Sequence, residues 1–308
     1  MIDYTPSWHG LPEGEVACSI TVLNQSSLVL KESDYLENGT SEITRRPTFC
    51  FLIKHPTAGQ NIIWDLGIQQ EREGNFSHPS LQSFDPHVEE DLSETLGRLG
   101  MAPTDIHKVM ISHKHWDHTG NPLPYTKAQF YIGAGDARQM PLLQGPDFAN
   151  RVVSLDWEEA PGRPVAAFEH SLDVFGDGSV FIVDAYGHTP GHINLLVRTG
   201  RDEWVLLASD SCHHCALLAS GPGEAKRGFG KYREYWEDDS VPPAHSNYED
   251  ETAAEKHLLR IQACESHQDV LVVIAHDEVK WKRWFGGKKY GVGPDLRGWK
   301  GRGSESKA

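Results

Sequence analysis

The stretch SHKHWDHTG, Ser112 to Gly120, places His113, His115, Asp117 and His118 close together. Imidazole nitrogens and carboxylate oxygens are the ordinary ligands of zinc and related divalent ions. The apolar run before His113 reads as a strand. Continued extension points His113 and His115 to one side, because strand side chains alternate with period two. The turn that follows can bring Asp117 and His118 to a neighbouring point, so one loop can serve two adjacent cations. Each cation then needs ligands from elsewhere in the chain. Three residues stand where such ligands are expected. His188 follows a strand-like run in the Gly-rich turn of IVDAYGHTPGH, Asp210 ends WVLLASD, and His276 ends VLVVIAH. Each closes an apolar run, where functional groups collect on α/β scaffolds. Alone, His276 would read as a hydrogen-bonded structural histidine and Asp210 as a turn residue or helix cap. The crowding at 113–118 gives them weight.

Strand-length runs rich in β-branched and aromatic residues must carry these groups: SITVLNQSSLVL, TFCFLIKHP, NIIWDLG, KVMISH, AQFYIG, SVFIVDA, INLLVRT, WVLLASD and VLVVIAH. Helical patterns lie between them. In HVEEDLSETLGRLGM, Val88, Leu92, Leu96 and Leu99 share a face and Gly100 is the stop; in NYEDETAAEKHLLRIQACE, Ala254, Leu258 and Ile261 form a stripe behind an acidic first turn. Sheets packed between helices follow, an α/β sandwich. One domain is expected over residues 1–298, with a polar tail over 299–308. Residues 68–87 and 219–248 read as long irregular segments of the kind used as lids or linkers. The cluster KWKRWFGGKKYG from Lys280 reads as a solvated helix end with packing tryptophans.

Composition narrows the partners. Lys and Arg number 29 against 44 Asp and Glu, a formal net charge of -15, which repels phosphate backbones and anionic lipid. No nucleic-acid or membrane partner is expected. No apolar run is long enough to span a bilayer and the start lacks a signal-peptide pattern, so a cytoplasmic location is expected. The five scattered cysteines, Cys18, Cys50, Cys212, Cys215 and Cys264, agree with a reducing compartment. The sequons at Asn38 and Asn75 then carry little meaning.

The ordered set His113, His115, Asp117, His118, His188, Asp210 and His276, with GHTPGH and the DLG turn at Asp65–Gly67, resembles the HxHxDH…H…D…H pattern of the metallo-β-lactamase superfamily. The resemblance covers roughly residues 17–280. It implies the αββα sandwich, two mixed sheets face to face with helices outside. It also implies that His113, His115 and His188 bind one Zn2+, that Asp117, His118 and His276 bind a second, and that Asp210 bridges them. Manganese or iron would suit the same ligands. Such a pair lowers the pKa of bound water toward about 7 and stabilises a tetrahedral oxyanion, so no serine or cysteine nucleophile is needed. Around this set, Asp65 is expected to hold the metal loop, Asp277 to orient His276, Trp116 to pack beneath the loop, and His192 to be structural. The CHHC stretch, Cys212 to Cys215, reads as pocket wall rather than a zinc knuckle.

Within the superfamily, SHKHWDHTGN, GHTPGH and the His276–Asp277 pair resemble the N-acyl homoserine lactone lactonases and a broader set that includes fungal lactamases acting on benzoxazolinone-type compounds. That implies ring opening of a small lactone, lactam or cyclic carbamate by attack of a metal-bound hydroxide on the ring carbonyl. A homodimer is compatible with it. Asp210 stands where zinc β-lactamases usually carry cysteine, which argues against antibiotic hydrolysis. One departure concerns His213. Lactonases of this group carry tyrosine three residues after the bridging aspartate, and His213 could donate the same hydrogen bond or protonate a leaving nitrogen. Asp117 and His213 are therefore the catalytic candidates. The alternatives are a thioesterase of glyoxalase II type, which would use a basic C-terminal pocket, and a mononuclear iron persulfide dioxygenase, which would use only part of the ligand set.

Overall fold

Trp204, Leu206 and Ala208 alternate with Val205 and Leu207 along one strand, and the two sets are buried in different core clusters. A strand buried on both faces needs a packed layer on each side. The computed structural model supplies both layers; it describes residues 4–70, 79–218, 228–234, 237, 240, 242–287 and 289–302. Asn75, residues 71–78 and 219–227 with a few others of the two long irregular segments, and residues 303–308 of the expected tail lie outside the described residues.

In chain order the first strands are β1 (Ser19–Asn24), β2 (Ser26–Lys31), β3 (Ile43–Pro47), β4 (Cys50–His55), β5 (Gln60–Trp64) and β6 (His87–Val88). The next are β7 (Lys108–Met110), β8 (Gln129–Gly133), β9 (Val152–Leu155), β10 (Ser171–Asp173) and β11 (Val180–Asp184). The last are β12 (Ile193–Gly200), β13 (Glu203–Ser209), β14 (Val270–Ile274) and β15 (Gly291–Asp295). The helices are α1 (Glu32–Tyr35), α2 (Pro79–Gln82), α3 (Leu92–Arg98), α4 (Trp116–Thr119), α5 (Ala134–Ala137), α6 (Glu251–Ser266) and α7 (Glu278–Phe285).

One sheet runs β15-β1-β4-β5-β7-β8-β9 and the other β10-β11-β12-β13-β14, and both are mixed. Ile20, Val22, Phe51, Ile53, Ile62 and Trp64 of the first sheet pack with Val180, Ile182, Leu195, Val197, Val205 and Leu207 of the second. On the outer face of the second sheet, Phe181, Leu196, Trp204 and Leu206 meet Ala254, Leu258 and Ile261 of α6. On the outer face of the first, Leu52, Ile63 and Val109 meet Leu92 and Leu96 of α3. The chain is therefore the expected αββα sandwich. No described helix is long and apolar enough to cross a membrane.

Three details differ from the sequence expectation. SITVLNQSSLVL is two strands, because the buried polar tract Asn24–Ser27 interrupts it and β2 passes into a small third sheet, β3-β2-β6. Val88 belongs to β6, opposite Ser26; the helix begins only after Asp91, whose backbone N–H donates to the Glu94 carboxylate at 3.0 Å. Residues 299–302, expected to open a frayed tail, form a 3₁₀ turn that buries Trp299 between the sheets.

Candidate metal centre

The loop after β7 is held from below by Asp65, which follows β5. Its Oδ1 accepts the Ser112 N–H at 2.7 Å, and its Oδ2 meets Ser112 Oγ and His118 Nδ1, each at 2.8 Å. Asp65 has φ +57°, a conformation that costs energy for a residue with a Cβ and that tends to persist at functional sites. The single turn of α4 places Asp117 and His118 beside each other. It ends at Gly120, where φ is +40° and a Cβ would lie 2.4 Å from the Leu66 carbonyl oxygen, so only glycine fits. The other groups come from the second sheet: His188 after β11, Asp210 directly after β13, and His276 after β14.

Two groups of side chains converge at this edge of the sandwich. In the first, His188 Nε2 lies 3.2 Å from His113 Nε2 and 3.0 Å from His115 Nδ1. In the second, His276 Nε2 and His118 Nε2 lie 3.4 and 3.5 Å from Asp117 Oδ2. Asp210 joins the two. Its Oδ2 is 3.7 Å from His113 Nε2 and 3.6 Å from His188 Nε2, while its Oδ1 is 3.3 Å from His118 Nε2 and 3.4 Å from His276 Nε2. His113, His115, His188 and Asp210 form one set that could hold a cation, and Asp117, His118, Asp210 and His276 another.

The donors fit divalent ions. His188 Nδ1 donates to Asn247 O and His276 Nδ1 to Pro47 O, both at 2.8 Å, so in the neutral rings the inward Nε2 is a bare lone pair. His118 Nε2 and Asp210 Oδ1 are buried and make no hydrogen bond among the described residues. Buried polar atoms are ordinarily satisfied, and these two face each other across the place a cation would take. Charge agrees. Burial, reinforced by neighbouring imidazoles, holds His113 and His188 well below the usual histidine range. Burial also disfavours charge on His276, but Asp210 and Asp117 outweigh it and push this ring up to about 9. The His118 ring is raised in the same way by Asp210, Asp117 and Asp65 against the effect of burial. Burial would raise the Asp117 and Asp210 carboxyls; His118 and the neighbouring imidazoles hold both well below the usual carboxylate range.

The remaining candidates fall around this centre. His213 Nε2 lies 3.1 Å from Asp210 Oδ2, and its Nδ1 3.1 Å from Tyr248 Oη. Because the carboxylate can only accept, Nε2 carries the proton, and in the neutral ring Nδ1 accepts from the tyrosine. His192 stands behind the first group, its ring 5.1 Å from His113, with Nδ1 donating to Ala185 O. The CHHC side chains turn to separate partners: Cys215 Sγ donates to Asp277 Oδ1, His214 Nδ1 accepts from Ala216 N, and Cys212 is buried in the core. Trp116 packs against Phe84 in the cluster under the small third sheet.

Asp277 does not orient His276, which is held by Pro47 O. Its carboxylate instead caps α7 at Lys280 N and pairs with Lys280 Nζ at 2.7 Å, because the chain turns into the helix immediately after His276. Lys280 is thereby buried and Lys282 pairs with Glu278, so these two lysines form no open basic pocket. Sequence reasoning missed Tyr248, Asn247, Ser209 and Asp136. Ser209 Oγ donates to Ser112 Oγ at 2.7 Å beneath the ligands. Asp136 stands among small residues in GAGDA, which by itself marks no role.

The model of the metallo-beta-lactamase superfamily matches residues 43–208. The chain is 29% identical over 259 residues to cytochrome P450 monooxygenase mpaDE of Penicillium roqueforti, covering 75% of this chain and 30% of that protein. It is 22% identical over 237 residues to gamma-lactamase FDB1 of Fusarium pseudograminearum, covering 69% of this chain and 57% of that one. The chain thus spans well under two thirds of either relative. Among solved structures, an N-acyl homoserine lactone hydrolase with the product N-hexanoyl-L-homoserine at its catalytic metal centre superposes with a TM-score of 0.60 at 18% identity, over 87% of this chain and 96% of that one. That likeness is one of fold.

Proposed function

The chain belongs to the metallo-beta-lactamase superfamily, and from that premise we propose that it is a hydrolase that opens a small cyclic ester or amide, a lactone, lactam or cyclic carbamate, at a centre for two zinc ions. One observation carries the reading: Asp210 turns one carboxylate oxygen to each of two His-rich groups, within 3.7 Å of their imidazole nitrogens. A shared carboxylate is what a two-metal hydrolytic site needs to hold its cations close. His113, His115 and His188 would hold one ion, and Asp117, His118 and His276 the other. Bound there, such ions polarise a carbonyl and lower the pKa of water toward about 7.

The chain's own groups do the rest. Asp117 and Asp210 supply two negative charges against four positive ones, leaving a net positive centre suited to an incoming carbonyl oxygen. His213, with its Nε2 proton on Asp210 and its Nδ1 accepting from Tyr248 Oη, stands beside that centre and would pass the Nε2 proton to a leaving nitrogen while the Tyr248 proton moves to Nδ1. This favours a cyclic amide or carbamate, whose departing amine needs a proton more than an alkoxide does.

The test is turnover by purified, zinc-loaded protein on acyl homoserine lactones, aliphatic lactones, aromatic lactams and glutathione thioesters, with metal content measured in parallel. Ring opening with near two zinc ions per chain is expected. Asp210→Ala should cost more than the roughly 10–100-fold typical of losing a residue that only supports a ligand. Thioester turnover without ring opening would replace the reading, and a single iron per chain would point to oxygenase chemistry.

A further inference from the structure

Asp136, in the short helix α5 after β8, is fully buried and belongs to neither group of candidate ligands. Its carboxylate is nonetheless engaged on both sides. Oδ2 accepts from Lys114 N at 3.0 Å and from Thr189 Oγ1 at 2.6 Å, and Oδ1 accepts from Gly191 N at 3.0 Å. The Lys114 amide is the link between His113 and His115. Thr189 and Gly191 belong to the loop that carries His188. One carboxylate therefore ties together the two segments whose imidazoles converge in the first group, segments that arise from different sheets.

The approach is built for this contact. A Cβ at Gly133 would lie 2.1 Å from Gly191 O, one at Gly135 would lie 2.6 Å from Pro190 Cβ, and one at Gly191 would lie 2.4 Å from Asp136 N. Three glycines thus let two backbones close to a distance at which a short aspartate reaches both. A second tie runs in parallel on the outside. Lys114 Nζ pairs with Glu249 Oε1 at 2.6 Å, and Glu249 N donates to His188 O at 3.2 Å. The second group is supported from Pro47 O and from Asp65, which also reaches His113 through Ser112 Oγ, and neither of these supports is a partner of Asp136.

We propose that Asp136 is a positioning residue that fixes the spacing of His113, His115 and His188 and so sets the affinity of that group alone for a divalent cation. The proposal rests on the two-metal reading above. Asp136→Asn keeps the shape but turns an amide N–H against one of the amide or hydroxyl donors. Zinc affinity is measured on metal-free full-length wild type and variant by competition with a chromogenic chelator. One of two equivalents should weaken by about 10–100-fold while the other is unchanged, the size usual for outer partners of metal ligands. In the metal-free protein, amide exchange should accelerate at 113–115 and 188–191 and stay unchanged in α6. Thr189→Val, which removes one donor and spares the carboxylate, should shift the same equivalent in the same direction by less. Equal weakening of both equivalents, or of neither, overturns the positioning role. A wild type that binds no zinc tightly overturns the two-metal reading and this proposal with it.

Discussion

His192 shows how much a single position can decide. It lies four residues after His188 in GHTPGH, yet its Nδ1 turns to Ala185 O and its Nε2 is buried with no hydrogen-bond partner among the described residues. Spacing separates the two histidines only weakly, whereas the surroundings separate them fully: one imidazole faces Asp210, the other faces protein interior. Burial pushes His192 down to about 3. The unfolded chain binds that proton near pH 6.5, so between about 6.5 and 3 the unfolded state holds a proton the folded state refuses, and stability falls as pH drops. Urea unfolding of wild type and His192→Gln in chelator at pH 7 and pH 5 measures this. The wild-type advantage should shrink by about 2 kcal/mol at pH 5; an unchanged advantage means the folded imidazole takes up the proton. At this scale the seven candidate ligands were legible because metal chemistry restricts residue types. Asp136, Tyr248 and the carbonyl of Pro47 were not, because their roles exist only once distant segments meet.

Elements were legible to the extent that burial sets their period. β13 and β14, buried on both faces, read as unbroken apolar runs and were found as such. β6 was folded into the following helix because two residues cannot show a period, and β1 and β2 were merged because a buried polar tract looks like strand sequence until its hydrogen bonds are seen. Glycines carry information of the same kind, which a pair of substitutions exposes. Gly133→Ala places a Cβ against Gly191 O, in backbone that cannot retreat without moving the His188 loop. It should cost about 1–3 kcal/mol and weaken zinc binding. Gly97→Ala, inside α3 with nothing within 4 Å, should instead gain about 0.4–1 kcal/mol. Chemical denaturation of both variants checks the contrast; a neutral Gly133→Ala would show that the loop yields freely.

At the scale of the molecule, the candidate ligands divide between the two sheets: His113, His115, Asp117 and His118 follow β7, and His188, Asp210 and His276 follow β11, β13 and β14. Cations held by both would tie the layers together at one edge, adding to the hydrogen bonds that Asp136, Ser209 and Pro47 O already make across it. The net charge of -15 favours their entry. An ion that binds the folded chain and not the unfolded one stabilises by about 2.7 kcal/mol per site at a hundred times its Kd. For two sites that is roughly 10 °C in Tm. Thermal unfolding of the wild type should therefore shift upward by that order between chelator and excess zinc. Because Asp210 serves both groups, Asp210→Ala should lose most of the shift, whereas His118→Ala, confined to one group, should keep about half of it. Equal shifts in wild type and Asp210→Ala would mean that zinc stabilises the chain somewhere other than this edge, and that the shared carboxylate does not join two cations.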